Sequence, residues 1–304
     1  MSIIYEDKFG YLPIADTVTF SGGEIVALPE FDTIVSSVAK NTHTDGHVYP
    51  PMKPHLNRRR KIPRTERPAH LHKLPPTHIL KINRAYPDEQ AARYGDAGFI
   101  MHFLGFIYGF RCQFHDWWME GRINVSGDSD HNCPRSSHVG NCLEKAFQMW
   151  SSWPSRQQIV AINALFLHTR TQVYENEWER FQAEYQIMDA LFSLAKETKQ
   201  IVVKPNLKHG ERPSVLCEKY GIPADKDKFD KIGKLRNDVI HEVLWDGRMP
   251  GEARSEISYR SPQWLHKLTK RIMLAVLGID NDYISSPWWF MGKFDFGSNC
   301  RGRV

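Results

Sequence analysis

The sequence predicts an α+β protein in which a mixed, β-containing N-terminal half precedes an all-α C-terminal half. Three observations support this prediction: short β-type segments near the N-terminus, a proline-rich stretch after them, and helical periodicity through most of the chain beyond residue 135. We therefore expect a mixed domain of unknown role at 1–150 and a helical bundle at 151–279. A C-terminal tail at 280–304 is expected to pack back on a domain.

The N-terminal half begins with a predicted strand–turn–strand unit. Residues 17–20 and 24–28 are rich in β-branched, aromatic and aliphatic side chains, and the Ser-Gly-Gly sequence at 21–23 favours a turn between them. Six prolines between 51 and 76 predict an extended connection, because proline fixes φ and lacks the backbone donor. Residues 77–83 then resemble another strand, and 87–113 a buried helix.

The C-terminal half predicts helices at 139–151, 155–170, 173–199, 212–220, 226–246 and 260–277. Ser155 and Asp225 are suitable N-cap residues because their side-chain oxygens can accept from the first-turn amides. Gly278 is a suitable residue to end the last helix, since glycine adopts the left-handed conformation without strain.

The composition excludes several classes of protein. Hydrophobic residues make up 41% of the 304 residues and charged residues 25%, which excludes a disordered or fibrous chain. The longest apolar stretch, 98–110, is too short to span a bilayer, and the acidic N-terminus does not resemble a signal peptide. The five cysteines are odd in number and widely spaced, which favours reduced thiols. We therefore expect a cytoplasmic protein that binds no membrane.

Positive charge is concentrated in one part of the proline-rich stretch. Between Lys53 and Lys73 there are 8 Lys and Arg and one Glu, a local charge of +7 in a chain of net charge +5. This segment could hold an RNA backbone, or it could be a solubilising loop. The candidate RNA-binding residues are Arg58, Arg59, Arg60, Lys61 and Arg64.

The predicted helix 226–246 separates apolar and polar side chains. At 100° per residue, an apolar stripe forms that would face the core. It contains Phe229, Ile232, Leu235, Val239 and Val243. Asn237 and His241 fall on the opposite face, four residues apart, and Arg236 lies at the edge of the stripe. The helix therefore presents an Asn and a His outward, with an Arg beside them.

The segment Arg236-Asn-Asp-Val-Ile-His241 resembles the signature of the HEPN superfamily, an Arg, then a polar residue, then a His after four to six intervening residues. An earlier helix around Trp178–Leu194 is similar to a long helix of these bundles that often carries an acidic residue, and Asp189 matches that place. Asp189 could equally be a structural partner of a nearby Lys or Arg. The resemblance covers about 155–277 and predicts a HEPN-like bundle there.

The resemblance implies a metal-independent endoribonuclease of the kind found among toxins and anti-phage (antiviral) defence proteins. His241 would serve as base or acid, and Arg236 would hold the phosphate through its planar fork. Asn237 would hold the phosphate or orient the imidazole. Attack by the RNA 2′-OH would give a 2′,3′-cyclic phosphate and a 5′-hydroxyl. No cofactor or metal is expected, and tRNA is one candidate substrate.

The resemblance also implies a partner and one regulatory difference. One outward-facing helix supplies a single His and a single Arg, so we expect a homodimer in which two copies of this helix face each other. In some HEPN toxins a partner nucleotidyltransferase controls the activity by modifying a Tyr that lies two residues after the His. Val243 occupies the position here, which argues against that control.

Two alternatives remain open from the sequence. The chain could be a non-catalytic HEPN module that dimerises or binds a ligand, although the intact Arg and His argue against this. A zinc site is the other alternative, because suitable ligand types lie close together at His131, Cys133, His138 and Cys142, with Cys112 and His115 upstream. Their spacing matches no standard zinc motif. No Gly-rich nucleotide loop or other common catalytic motif supports a small-molecule enzyme.

Overall fold

A computed structural model describes residues 5–44, 46–49, 74–117, 121–126, 135–249, 255–290, 294 and 296, and the backbone of 56–57 and 60–61. The chain divides into two compact units, 1–128 and 129–304. The first contains a sheet and the second is helical, so the predicted α+β class is confirmed. The division falls at 128/129, before the helix at 136–151, and not at 150/151 as the sequence predicts.

The first unit is organised around a five-stranded antiparallel sheet. The described strands of this unit, in chain order, are β1 (Tyr5–Gly10), β2 (Val18–Phe20), β3 (Gly23–Ala27), β4 (His47–Val48), β5 (Leu56–Asn57), β6 (Arg60–Lys61), β7 (His78–Ile82), β8 (Gln113–Phe114) and β9 (Ile123–Asn124). The main sheet has the order β2-β3-β7-β1-β8, while β4 pairs with β9 and β5 with β6. Residues at every second position of β7 are buried, as a half-buried strand requires.

The sequence located three of these strands to within about one residue. The predicted strands 17–20, 24–28 and 77–83 correspond to β2, β3 and β7. Strand β1 was not predicted because its sequence, Tyr-Glu-Asp-Lys-Phe-Gly, is too polar to resemble a strand. Its Asp7 is nevertheless buried beside Arg93, which donates from Nε to Asp7 Oδ2 at 2.6 Å and from Nη1 to Asp116 at 2.8 Å. A buried ion pair thus replaces the apolar signal that a strand usually carries.

In its described residues the first unit also has three helices: α1 (Phe31–Lys40), α2 (Glu89–Arg93) and α3 (Asp96–Tyr108). The prediction of a single helix at 87–113 is wrong. The helix is interrupted at Tyr94–Gly95, and the last residues of the predicted range, 113–114, belong to strand β8. Every residue of α3 is buried, as its apolar sequence predicted. Gly98 permits the break, since a Cβ at this position would lie 2.1 Å from the Arg93 carbonyl oxygen.

The second unit contains helices α4 (Ser136–Ser151), α5 (Ser155–Thr171), α6 (Glu177–Glu197), α7 (Arg212–Tyr220), α8 (Lys226–Asn237) and α9 (Glu256–Val276). Each corresponds to a predicted helix. The Asp225 cap is confirmed, because its side chain accepts from the Lys228 amide, and Gly278 has the expected positive φ of 79°. Ser155 is the first residue of α5 and Pro154 is its N-cap, so that cap was misplaced by one residue.

Helix α6 packs between α5 and α9, and the three form the centre of the bundle. The described part of the tail packs back on the bundle. The Trp288 ring stacks on Phe229 of α8 with ring centroids 5.4 Å apart, and its indole N–H donates to the Pro223 carbonyl at 2.9 Å. The tail therefore holds the start of α8, whose other end carries the motif.

None of the helices in the described part of the chain combines the length and apolar composition that a membrane-spanning helix needs.

Candidate functional site

The motif helix does not continue to residue 246 as predicted. Regular α-helix ends at Asn237, and residues 238–242 form a π-helical turn in which the Val243 amide donates to the Asp238 carbonyl. Val243 then has a φ of +58° and is 85% exposed. The prediction that Val243 lies in the core stripe is therefore wrong, whereas Phe229, Ile232 and Leu235 are buried as expected.

The π-helical turn brings the Arg and the His of the motif into contact. On a regular α-helix, two residues five positions apart point about 140° away from each other. The wider turn closes this angle, because its hydrogen bonds join residues five apart. Arg236 Nη1 consequently lies 3.0 Å from His241 Nε2 and also donates to Asn237 Oδ1 at 3.1 Å. The three predicted residues thus form one exposed cluster.

The Arg236 side chain packs against Tyr185 and leaves its terminal Nη atoms toward solvent. Its guanidinium carbon lies 5.8 Å from the centroid of the Tyr185 ring on α6, and its Nε is buried. Arg236 as a whole is half-buried, while Asn237 and His241 are exposed. A guanidinium held over an aromatic face keeps its outer donors directed to one side. The arrangement therefore offers Nη donors and an imidazole to a ligand from solvent.

Asp189 contacts a different pair of residues. Its Oδ1 accepts from Arg212 Nη1 at 2.9 Å, and its Oδ2 lies 3.4 Å from His209 Nδ1. This matches the alternative in which Asp189 is the partner of a nearby Arg. It still lies near the motif, one helical turn beyond Tyr185. Burial and the charge of Asp189 raise the pKa of Tyr185 to about 12, although Arg236 and Arg212 act to lower it.

His209 and Arg212 also lie near the motif, and the sequence did not predict them. His209 opens a 3₁₀ turn at His209–Glu211, and Arg212 is the first residue of α7. Arg212 Nη2 lies 3.2 Å from His209 Nε2. The only signal in the sequence was a His followed three residues later by an Arg, which is common by chance.

A second polar cluster is buried where α5, α6 and α9 meet. Glu184 accepts from His168 Nδ1 at 3.1 Å and from His266 Nδ1 at 2.7 Å. Thr171 and Thr269 also donate to the two carboxylate oxygens. Burial raises the pKa of Glu184, but the two imidazoles outweigh it and hold that pKa below its usual range. The carboxylate is thus ionised and fully hydrogen-bonded in the bundle core.

His168, Glu184 and His266 form the group of side chains in the described ranges that is close enough to hold a metal ion. The two imidazole rings are stacked, with centroids 4.0 Å apart and planes within 5° of parallel. Lone pairs in two parallel planes do not converge, so one ion cannot lie on both Nδ1 axes. The geometry suits a carboxylate that bridges two imidazole N–H groups.

The zinc alternative and the basic segment lie largely beyond what the structure describes. His131, Cys133, Arg58, Arg59 and Arg64 are outside the described residues, and Arg60 and Lys61 are described only as backbone in β6. His138 and Cys142 lie in α4. Cys112 is buried, and burial raises the pKa of its thiol to about 12.

Comparison of the chain with protein-family models, with curated proteins and with solved structures gave no match.

Proposed function

We propose that this protein is a metal-independent endoribonuclease of HEPN type, and that its helical unit is a HEPN-like bundle. The contact of Arg236 Nη1 with His241 Nε2 across 3.0 Å supports this most strongly. It places an always-charged phosphate-binding group beside an imidazole that can accept or donate a proton, on an exposed surface. These are the two functions that cleavage by the RNA 2′-OH requires.

The reaction follows from the chemistry of the two side chains. Arg236 binds the non-bridging oxygens of a phosphodiester, which sets the phosphorus beside the imidazole. His241 Nε2 takes the proton of the 2′-OH as that oxygen attacks phosphorus. The guanidinium stabilises the additional negative charge of the phosphorane in the transition state. The bond from phosphorus to O5′ breaks, and O5′ takes up a proton from water, which leaves a 2′,3′-cyclic phosphate and a 5′-hydroxyl. Asn237 accepts from Arg236 and so orients the guanidinium.

A homodimer through the end of α8 belongs to the same proposal. Ile240, Val243 and Met249 are large apolar side chains that are 45%, 85% and 68% exposed. A β-branched residue at positive φ costs on the order of 1–3 kcal/mol, and the exposed Val243 side chain recovers little of this within one chain. A second copy packed against this surface would bury all three side chains and bring two motif sets together.

The test is cleavage of total tRNA and of a single-stranded RNA in EDTA. We expect the wild-type chain to cleave RNA and Arg236→Ala and His241→Ala to lose on the order of 10²–10⁴-fold in rate. Arg156→Ala is the matched control, because Arg156 is 78% exposed on α5. No cleavage by a folded wild-type dimer would favour the non-catalytic module instead.

A further inference from the structure

Asp189, His209 and Arg212 form a closed ring of contacts near the motif, here called the His209 cluster. Arg212 Nη1 donates to Asp189 Oδ1 at 2.9 Å, and Arg212 Nη2 lies 3.2 Å from His209 Nε2. The ring closes through His209 Nδ1, which lies 3.4 Å from Asp189 Oδ2. A guanidinium has only donors, so Nε2 is the acceptor and the imidazole carries its single proton on Nδ1, facing the carboxylate. Both nitrogens of His209 are therefore engaged at the edge of the imidazole.

The His209 cluster differs from the motif in its charge. The negative charge of Asp189 balances the positive charge of Arg212, and the imidazole between them is neutral in this hydrogen-bonding arrangement. Arg236 instead contacts two uncharged acceptors, Asn237 Oδ1 and His241 Nε2. Arg236 therefore suits a phosphate, whereas the His209 cluster suits a neutral and polarisable group.

The imidazole of His209 meets solvent with its face. The side chain is 49% exposed although both ring nitrogens are engaged, so the exposed part is the ring face and the carbon edge. Arg212 beside it lies on the Phe192 ring of α6, with the guanidinium carbon 5.1 Å from the ring centroid. Proteins that bind single-stranded RNA stack unpaired bases on aromatic faces of this kind, histidine included.

Two glycines hold the His209 cluster close to the motif helix. A Cβ built on Gly233 of α8 would lie 3.8 Å from the Gly210 Cα, so the turn that carries His209 packs directly on α8. Gly233 precedes Arg236 by three residues and therefore lies on the same face of the helix, about one turn away. This places His209 about one helical turn from the motif arginine.

Tyr185 contacts both the motif and the His209 cluster. Its ring centroid lies 5.8 Å from the guanidinium carbon of Arg236, and its hydroxyl donates to the His209 carbonyl at 3.4 Å. One side chain of α6 thus fixes the motif arginine and the backbone of the turn. An RNA strand whose phosphate is bound by Arg236 consequently brings an adjacent base to the imidazole of His209.

We propose that the imidazole face of His209 is a stacking platform for a nucleobase next to the scissile phosphate. The identity of the ligand as RNA rests on the proposed function. Asp189 and Arg212 hold the imidazole by its two nitrogens, so the ring has no edge with which to read the base. The platform therefore accepts any base, and the base must be unpaired to reach it. The substrate class that follows is single-stranded RNA, with little dependence on base identity at this position.

The test uses a 2′-O-methyl RNA strand that contains a single ribonucleotide, so that only one phosphate can be attacked. The nucleotides on the two sides of that phosphate are replaced, one at a time, by their abasic counterparts. An abasic replacement at the far end of the strand is the control. Cleavage rates are measured on these strands in EDTA, and dissociation constants on the matching strands that are methylated throughout.

Three variants separate the face of the imidazole from its edge, and circular dichroism confirms that each is folded. His209→Ala removes both the face and the edge. His209→Phe keeps an aromatic face and lacks the two nitrogens. His209→Gln keeps a donor and an acceptor that can replace the contacts to Asp189 and Arg212, and lacks the face.

We expect removal of the stacked base to weaken binding by wild type about 5- to 100-fold at one of the two positions, and binding by His209→Phe in the same direction. The same removal should have no effect in His209→Ala and His209→Gln. An equal loss in wild type and these two variants, or no loss in wild type at either position, would overturn the platform, while cleavage by wild type would leave the proposed function in place. A loss that depends on His209, without cleavage by wild type, would support the platform and overturn the ribonuclease. A wild type that neither binds nor cleaves the strand would overturn both.

Discussion

Arg236 Nη1 and His241 Nε2 lie 3.0 Å apart although five residues separate them on one helix. The π-helical turn at 238–242 makes this contact possible, since a regular α-helix would direct the two side chains apart. Turns of this kind are costly and frequently occur at functional sites. The contact joins the two motif residues into one chemical unit.

The close approach of Gly233 to Gly210 predicts a graded response to side-chain size. Gly233→Ala adds a Cβ at ordinary contact distance and should stabilise α8 by about 1 kcal/mol, since glycine is a poor helix former. Gly233→Leu should instead push the 209–211 turn away from α8 and lower the free energy of unfolding. Both variants are compared with wild type by urea unfolding. A Gly233→Leu variant as stable as Gly233→Ala would contradict the close packing of the two glycines.

The exposed apolar surface predicts that one charge abolishes the dimer. Val243→Asp should shift the molar mass of the chain from dimer to monomer in light scattering at micromolar concentration, because a buried unpaired carboxylate is strongly unfavourable. Val202→Asp is the matched control, since Val202 is 97% exposed in the segment after α6 and should have no effect. A wild-type monomer at this concentration, or a Val243→Asp dimer, would contradict the proposed interface.

The buried carboxylate of Glu184 predicts a large stability effect from a small change. In Glu184→Gln the amide nitrogen can no longer accept the imidazole and hydroxyl donors on one side of the cluster. We expect the free energy of unfolding to fall by about 1–3 kcal/mol for each donor left without a partner. Glu218→Gln, at an exposed position of α7, should change it by less than about 0.5 kcal/mol. Equal midpoints in urea for the two variants would show that the network is not important for stability.

Three buried histidines predict that acid destabilises the fold. Burial lowers the pKa of His78 and of His102 to about 4, and burial also lowers the pKa of His168. In each case the histidine of the unfolded chain binds a proton near pH 6.5, whereas the same histidine in the folded chain binds it only at lower pH. Stability is therefore complete above that pH and falls as the pH drops toward 4, by up to about 3 kcal/mol for each of the first two.

The decline with acid is measured by urea unfolding at several pH values between 7.5 and 4.5. His78→Gln should have a flatter pH dependence than wild type, because the residue that must be protonated on unfolding is absent. His43→Gln is the control, since His43 is exposed. A wild-type free energy of unfolding that stays constant down to pH 5 would contradict the prediction.

The sequence predicted most helices and the sheet core because those elements carry a periodic apolar signal. Helix α8 and strand β7 are clear examples, with their buried residues at helical and alternating spacing. Strand β1 gave no such signal, since the burial of its Asp7 depends on Arg93, a residue 86 positions away. Pairing between distant charged residues cannot be inferred from local spacing.

The candidate site was predictable only where the motif is local. Arg236, Asn237 and His241 lie within six residues, so one segment of sequence contains all three. The π-helical turn that joins them was not predictable, because a regular helical period also fits the segment. His209 and Arg212 come from another part of the chain and reach the site through the packing of two glycines. Such close packing leaves no pattern in a single sequence.

We propose above that the 2′-OH of the RNA attacks the neighbouring phosphate and so cleaves the RNA strand at the Arg236–His241 site. The most direct measurement compares a single-stranded RNA with the same sequence carrying 2′-O-methyl groups, in EDTA, and determines the mass of the 3′ ends. The account predicts 2′,3′-cyclic phosphates from the RNA with wild type, no cleavage of the methylated strand, and loss of cleavage in His241→Ala. Cleavage of the methylated strand, or products with 3′-hydroxyl ends, would contradict it.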